Sequence, residues 1–164
     1  MKSYCYVILP SGTDVTGNLY DIVKQQIIKY YQEREVEPYK HFYTKKYTHS
    51  QANRFGFDNS DDFNNYLQQN EEGYGIENGL LYMITTYNPD SKWDYFFVEE
   101  VKKGSELQND PPYSIVTPGK EWFSLWDYEN KYDKDTAGKQ WRLFLNDVFK
   151  EYVDNDFVVI LVHS

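Results

Sequence analysis

The last segment of the chain, residues 141–164, reads WRLFLNDVFKEYVDNDFVVILVHS and predicts a helix followed directly by a strand. Large side chains recur three, four, seven and eleven residues after Trp141, which is the spacing of one face of an α-helix. A polar turn at residues 154–156 ends this helix, and the strongly apolar run from Phe157 predicts the final strand. An amphipathic helix next to an apolar strand indicates a fold in which helices cover a sheet.

The preceding segments also alternate between strands and helices. We expect a strand at residues 3–10, a helix from residue 19 to about 35 with Thr16 as its N-cap, and a short helix capped by Ser60. The segments GLLYMITTYN and KWDYFFVEEVKKG predict an antiparallel hairpin, and YSIVTPGKEWFSLWDY predicts a long strand. The expected class is α+β: a mostly antiparallel sheet of about five strands, with two main helices and one short helix packed on one face.

The length of 164 residues is typical of a single domain. We therefore expect one domain over residues 1–164. Within it, residues 39–57 carry four basic and no acidic side chains and could form an edge strand. The lone Cys5 lies in an apolar run, which indicates a buried thiol in a reducing compartment. No stretch approaches the length of a membrane span, so we expect a cytoplasmic protein without membrane contact.

Charge and aromatic content indicate the kind of partner. The formal net charge is −9, which disfavours direct binding to nucleic acid and favours a basic protein or a cationic aromatic small molecule. Aromatic residues make up 19% of the chain, so some rings must reach the surface, where Tyr and Trp favour binding. A genome rich in Tyr, Asn, Lys and Ile codons is the alternative explanation for this composition.

The stretch EWFSLWDY supplies the candidate binding surface. If it is a strand, Trp122, Trp126 and Tyr128 share one face, while Phe123 and Leu125 face the helices. With helices on one face only, the tryptophan face is an exposed interaction surface; the alternative is that residues 39–70 cover it. The predicted binding residues are Trp122, Trp126, Tyr128, Trp93, Tyr95 and Glu99.

No pattern in the sequence indicates catalysis. The three histidines lack the spacing of zinc ligands, and no phosphate-binding loop, dinucleotide fingerprint or nucleophile elbow is present. Glu99 and Glu100 are neighbours in a predicted strand and should point to opposite faces, so only one of them can form the acidic wall of a pocket. We therefore expect no catalytic residues, metal or cofactor.

Three segments together carry a resemblance to a known family: YSIVTPGKEWFSLWDY, GKQWRLFLNDVFKEYV and FVVILVHS. They resemble the second half of a gyrase-inhibitor-like (GyrI-like) effector-binding domain. The resemblance implies two β-α-β-β modules and a ligand cleft lined by aromatic side chains and an acidic one. Two features depart from the family pattern: residues 36–75 are extra, and no penultimate strand lies between Val153 and Phe157.

Three functions follow from these observations. The leading one is a non-enzymatic, acidic inhibitor or immunity-type protein of bacterial or phage origin that masks a basic protein partner. The alternative is a GyrI-like domain that binds a small molecule in an aromatic cleft, and the third is an enzyme whose pocket the sequence does not reveal. A concave aromatic cleft ending in a carboxylate would favour the alternative, whereas a flat acidic face would favour the inhibitor.

Overall fold

The computed structural model describes residues 1–107 and 111–164, and they form two compact units. Met1–Arg34 and Pro89–Ser164 make the first, called here the sheet unit, and Glu35–Asn88 makes the second, called here the inserted unit. The inserted unit is longer than the segment 36–75 that the sequence marked as an insertion. The helices and strands are β1 Lys2–Ile8, α1 Leu19–Ile27, β2 Tyr39–Phe42, α2 Lys45–Arg54, α3 Ser60–Asn70, β3 Tyr74–Glu77, β4 Leu80–Thr85, β5 Tyr95–Lys103, β6 Ser114–Val116, β7 Trp122–Ser124, α4 Leu125–Glu129, α5 Lys134–Glu151 and β8 Asp156–His163.

The sheet unit contains a five-stranded sheet in the order β5-β8-β1-β6-β7. Its neighbouring strands are antiparallel except β1 and β6, which run parallel. The predicted α+β class is confirmed, with a sheet that is mixed rather than purely antiparallel. None of the helices in the described part of the chain is both long enough and apolar enough to cross a membrane.

The helices of the sheet unit cover both faces of its sheet, so the expectation of one covered face is wrong. Cys5 and Val7 of β1 pack in the same cluster as α1, whereas Tyr6 and Ile8 pack in the cluster of α5. Strand β8 divides its side chains between the same two clusters. Continuous apolar runs in β1 and β8 are typical of strands that are buried on both sides.

Strands β4 and β5 do not form the predicted hairpin. β5 pairs with β8, while β4 lies between β2 and β3 in the three-stranded sheet of the inserted unit. Asn78 and Gly79 join β3 to β4 with φ values of 53° and 79°. Two consecutive left-handed residues suit the tight turn of a two-residue hairpin, for which Asn-Gly is the preferred pair.

The segment predicted as one long strand is two short strands and a helix. β6 and β7 pair as an antiparallel hairpin, and α4 begins immediately after Ser124. The Asp127 carboxylate accepts a hydrogen bond from the Ser124 backbone N–H at 3.0 Å, within a capping box at the start of this helix. The alternation of side chains between the two faces of a strand therefore ends at Ser124. It does not predict the directions of Trp126 and Tyr128, which belong to a helix.

The inserted unit has a small core of its own. Helices α2 and α3 pack against its sheet, and Phe63, Leu67 and Leu81 form the buried centre of this core. The basic stretch 39–57 is an edge strand, β2, only over its first four residues, and most of the remainder is α2. The short helix predicted at Ser60 is α3, and Asn59 rather than Ser60 is its N-cap.

Candidate functional site

A cleft of about 840 Å³ opens on the sheet unit and is called here the acidic cleft. One side is the face of the five-stranded sheet, which contributes side chains from β1, β5 and β8. The other side is the segment that follows β5, which contributes Glu106, Pro111 and Pro112. The side chains that define its chemistry are those of Tyr4, Tyr6, Glu99, Glu100, Lys102 and Glu106.

A β-bulge in β5 brings two of these glutamates together. Val98 pairs with Ile160 and Glu100 pairs with the next residue of β8, Val159, so Glu99 is an extra residue in the strand. In a regular strand the two glutamates would point to opposite faces, but at this bulge both line the cleft. The prediction that only one of them can face a pocket is therefore wrong.

The charge of the acidic cleft is negative. Three glutamates line it against one lysine, and Lys102 Nζ lies 3.3 Å from Glu100 Oε1. That ion pair is solvent-exposed, so it contributes little to stability and a competing cation can replace the lysine. Among the described residues, Glu99 and Glu106 make no ion pair.

Exposed aromatic rings continue from the cleft along the same face of the sheet. Tyr4 of β1 and Phe97 of β5 both pair with Leu161 of β8, and their side chains are 52% and 53% exposed. Next to them, the Tyr95 ring stacks on the His163 ring with a centroid separation of 4.5 Å and an interplanar angle of 9°. Exposed rings beside carboxylates form a surface suited to cationic side chains.

The His163 ring is held in place from its other side. Its Nδ1 atom lies 2.7 Å from Asp94 Oδ1, and this hydrogen bond is the main cause of a lowered pKa of the Asp94 carboxyl. His163 thereby links Asp94 to the stacked Tyr95 ring. The rings beside the cleft are thus partly positioned before any ligand arrives.

The two tryptophans predicted for the binding face do lie near each other. Trp122 and Trp126 line a groove of about 280 Å³, together with Ser114, Ser124 and Lys92. Trp126 is 56% exposed. Among the described residues that line this groove there is no Asp or Glu side chain.

Two other predicted residues, Trp93 and Tyr128, line neither the acidic cleft nor the tryptophan groove. Trp93 is 2% exposed, and its indole N–H donates a hydrogen bond of 2.8 Å to the Ile27 carbonyl. Tyr128 packs against Trp141 and Phe144 in the α5 cluster, on the opposite face of the sheet from Trp122. The six predicted residues therefore do not form one site, and only Glu99 lines the acidic cleft.

Sequence reasoning missed Tyr4, Tyr6, Glu100 and Glu106. A signal for the bulge was nevertheless present in β5. The buried or half-buried apolar residues Phe96 and Val98 are two positions apart, but the next one is Val101, three positions further on. An extra residue in a strand changes the spacing of apolar residues from two positions to three, as seen here beside the pair of glutamates.

The thiol and the possible metal ligands of the described residues were the remaining candidates for reactive chemistry. Cys5 is fully buried, and burial raises the pKa of its thiol to about 12, so it remains protonated at neutral pH. No group of three His, Cys, Asp or Glu side chains in the described ranges is arranged to hold a metal ion.

Comparison of the chain with known proteins gives no match to a family model, to a curated protein or to a solved structure.

Proposed function

We propose that this chain is a non-enzymatic binding protein that holds a basic segment of a partner protein in the acidic cleft. The observation that carries this proposal is the bulge in β5, which sets Glu99 and Glu100 on the same cleft, where Glu106 adds a third carboxylate. A concave site with the Tyr4 ring also meets part of the criterion for the alternative, a small cationic ligand. Three carboxylates against one exposed ring favour a basic protein segment instead, as for an inhibitor or immunity-type protein that masks a basic partner.

The chemistry of the cleft matches arginine best. A guanidinium group can form two parallel hydrogen bonds with one carboxylate and stack on an aromatic face at the same time. Tyr4, which lines the cleft beside the glutamates and is 52% exposed, provides such a face. Arginine and tyrosine are also among the residues that dominate binding energy at protein interfaces.

The net charge of the chain assists the encounter. At −9, the chain attracts a basic partner from a distance, which raises the association rate at low ionic strength. Binding should therefore weaken as salt is added.

The tryptophan groove supports a cationic small molecule less well. The alternative function requires an aromatic cleft with an acidic side chain, but the described lining of that groove includes the ammonium group of Lys92 and no Asp or Glu side chain. We therefore place the basic-partner site at the acidic cleft and not at Trp122 and Trp126.

Fluorescence anisotropy with a labelled oligoarginine peptide tests this proposal. The double variant Glu99→Gln/Glu100→Gln should bind the peptide at least about tenfold more weakly, because two carboxylates of the cleft are removed. The matched control is Glu35→Gln/Glu37→Gln, which removes the same charge at two exposed glutamates of the inserted unit. An equal loss in both double variants would show that only net charge matters and that the cleft is not the site.

A further inference from the structure

The inserted unit contains a pocket of about 230 Å³, which is called here the aromatic pocket. It is formed within the inserted unit alone and shares no residue with the acidic cleft. Its lining includes five aromatic rings and one carboxylate: Tyr43, Tyr47, Phe55, Phe63, Tyr74 and Glu71.

The pocket has a buried floor and exposed walls. Phe63, Leu67 and Leu81 belong to the core of the unit and line the floor. Tyr47 and Phe55 are each 43% exposed and form walls open to solvent. The Tyr43 and Tyr47 rings lie 4.7 Å apart at an angle of 31°, so two aromatic groups stand together on one wall.

Two of the tyrosines are anchored by their hydroxyl groups. The hydroxyls of Tyr43 and Tyr74 both point to the Met83 sulfur, at 3.8 Å and 3.2 Å. Burial is the main cause of a raised pKa of Tyr43, and the neighbouring Tyr74 and Tyr47 add to it, so this ring remains a neutral phenol at physiological pH. Because their hydroxyls bond to Met83, which is not part of the pocket lining, these residues present mainly ring carbon to a ligand.

Glu71 supplies the negative charge of the pocket. It follows α3 as the C-cap residue, at the end of a helix that carries partial negative charge. Glu71 is exposed, makes no ion pair among the described residues, and is the only charged side chain in the described lining. A carboxylate beside several ring faces favours a cation over a neutral or anionic ligand.

We propose that the aromatic pocket binds a methylated ammonium group, of the size of the trimethylammonium head of choline. Such a group is weakly hydrated and has no N–H donors to satisfy, so ring faces can replace its water. The volume of about 230 Å³ lies below the usual range for drug-sized ligands and suits a group of this size. A bare lysine ammonium has three N–H donors, and ring carbons, which make up most of the lining beside Glu71 and Gln51, accept no hydrogen bond from them.

Isothermal titration of the full chain with choline and with 3,3-dimethyl-1-butanol tests this assignment. The two compounds have the same shape, but only choline is charged. We expect saturable binding of choline and at least about tenfold weaker binding of the neutral alcohol, since only the charged compound gains cation–π contacts with the rings. Equal affinity for the two compounds, or no saturable binding of choline, would overturn the proposal.

Paired variants locate the binding within the pocket. Glu71→Gln should weaken choline binding several-fold, whereas Glu72→Gln, an identical charge change at the next exposed residue, should leave it unchanged. Tyr47→Leu should also weaken choline binding, because it removes an exposed aromatic ring from the wall of the pocket. If circular dichroism shows that this variant does not fold, the comparison of the two glutamate variants alone decides the test. Equal loss in the two glutamate variants would place choline outside the pocket.

A third titration distinguishes the source of the methylated group. Trimethyllysine binding more tightly than choline would indicate a modified protein side chain as the natural ligand, and the reverse order would indicate a free small molecule. Unmethylated lysine should bind at least about tenfold more weakly than trimethyllysine. Because Glu99→Gln/Glu100→Gln leaves the aromatic pocket intact, this inference and the proposed function can succeed or fail independently.

Discussion

At the scale of single residues, the same type of side chain has opposite roles in the sheet unit. Trp93 and Trp126 both lie in aromatic stretches of the sequence, but one is buried beneath α1 and the other is exposed in a groove. The residues next to a tryptophan in the sequence do not show whether its indole N–H will meet a buried hydrogen-bond acceptor. The acceptor of Trp93 is the carbonyl of Ile27, 66 residues away in the sequence.

Conservative replacement of each tryptophan should separate these roles. Trp93→Phe removes the buried hydrogen bond to the Ile27 carbonyl and part of a packed ring, so we expect a loss of about 1–3 kcal/mol in the free energy of unfolding. Trp126→Phe should change that free energy by less than about 0.5 kcal/mol, because the side chain is mostly exposed. Urea unfolding followed by circular dichroism measures both, and similar losses would contradict these two environments.

Part of the candidate site could be predicted residue by residue. The prediction of Glu99 as the acidic wall of a pocket required only that it belongs to an acidic pair beside aromatic residues. Tyr4 and Tyr6 could not be assigned in this way, because β1 reaches the cleft through its pairing with β8, more than 150 residues away in the sequence. Glu106 lines the cleft from the segment after β5, whose path no local pattern specifies.

At the scale of elements, the positions of helices and strands were easier to predict than which strands pair with each other. α5 follows from helical periodicity and β8 from a continuous apolar run, and, apart from Tyr152 at the C-cap of α5, the side chains that define each pattern lie within the element. Whether β4 pairs with β5 depends on the other strands that compete for each of them. Here the tight Asn78-Gly79 turn pairs β4 with β3 instead. The start of α4 was also readable, since Ser124 and Asp127 have the spacing of a capping box.

Deletions in β5 should test the bulge as an element. Deleting Glu99 leaves Val98 opposite Ile160 and Glu100 opposite Val159 as direct neighbours, so the ladder becomes regular and stability should change by less than about 1 kcal/mol. Deleting Val98 instead moves Glu99 into a position that packs against the α1 cluster. Bringing a carboxylate into that apolar cluster should cost more than about 2 kcal/mol.

The two deletion variants are matched controls, because each shortens the same strand by one residue. Urea unfolding curves should show nearly wild-type stability for the first variant and strong destabilisation for the second. If both variants are equally destabilised, then Glu99 is not the extra residue of the strand.

At the scale of the whole molecule, the chain leaves and re-enters the sheet unit at neighbouring points. The Gln32 backbone N–H donates to the Trp93 carbonyl at 2.8 Å, and the Lys92 N–H donates to the Tyr30 carbonyl at 2.8 Å. Tyr31 and Trp93 also form an isolated bridge. These bonds lie within the sheet unit and hold the two ends of residues 35–88 together, as expected for a segment inserted between adjacent positions.

The extent of the inserted unit could not be predicted from composition. The boundaries 36–75 came from the resemblance to the GyrI-like family, whose pattern does not include that segment. β4 follows that segment and looks like any strand of a main sheet, but its hydrogen-bonded partners β2 and β3 place it in the inserted unit. Its pairing with β3 across the Asn78-Gly79 turn, and with β2 earlier in the sequence, assigns it there.

Replacement of residues 35–88 by about six Gly and Ser residues should therefore leave the sheet unit folded, since a flexible linker of that length can join ends already held close together. All five strands of its sheet, α1 and α5 lie outside the replaced segment, so we expect a cooperative urea transition and native-like circular dichroism. The shortened protein should retain oligoarginine binding that is sensitive to Glu99→Gln/Glu100→Gln, and it should lose choline binding because it lacks the aromatic pocket. A shortened protein that unfolds without cooperativity would show that the sheet unit depends on the inserted one, and choline binding that persists would place the methylammonium site in the sheet unit.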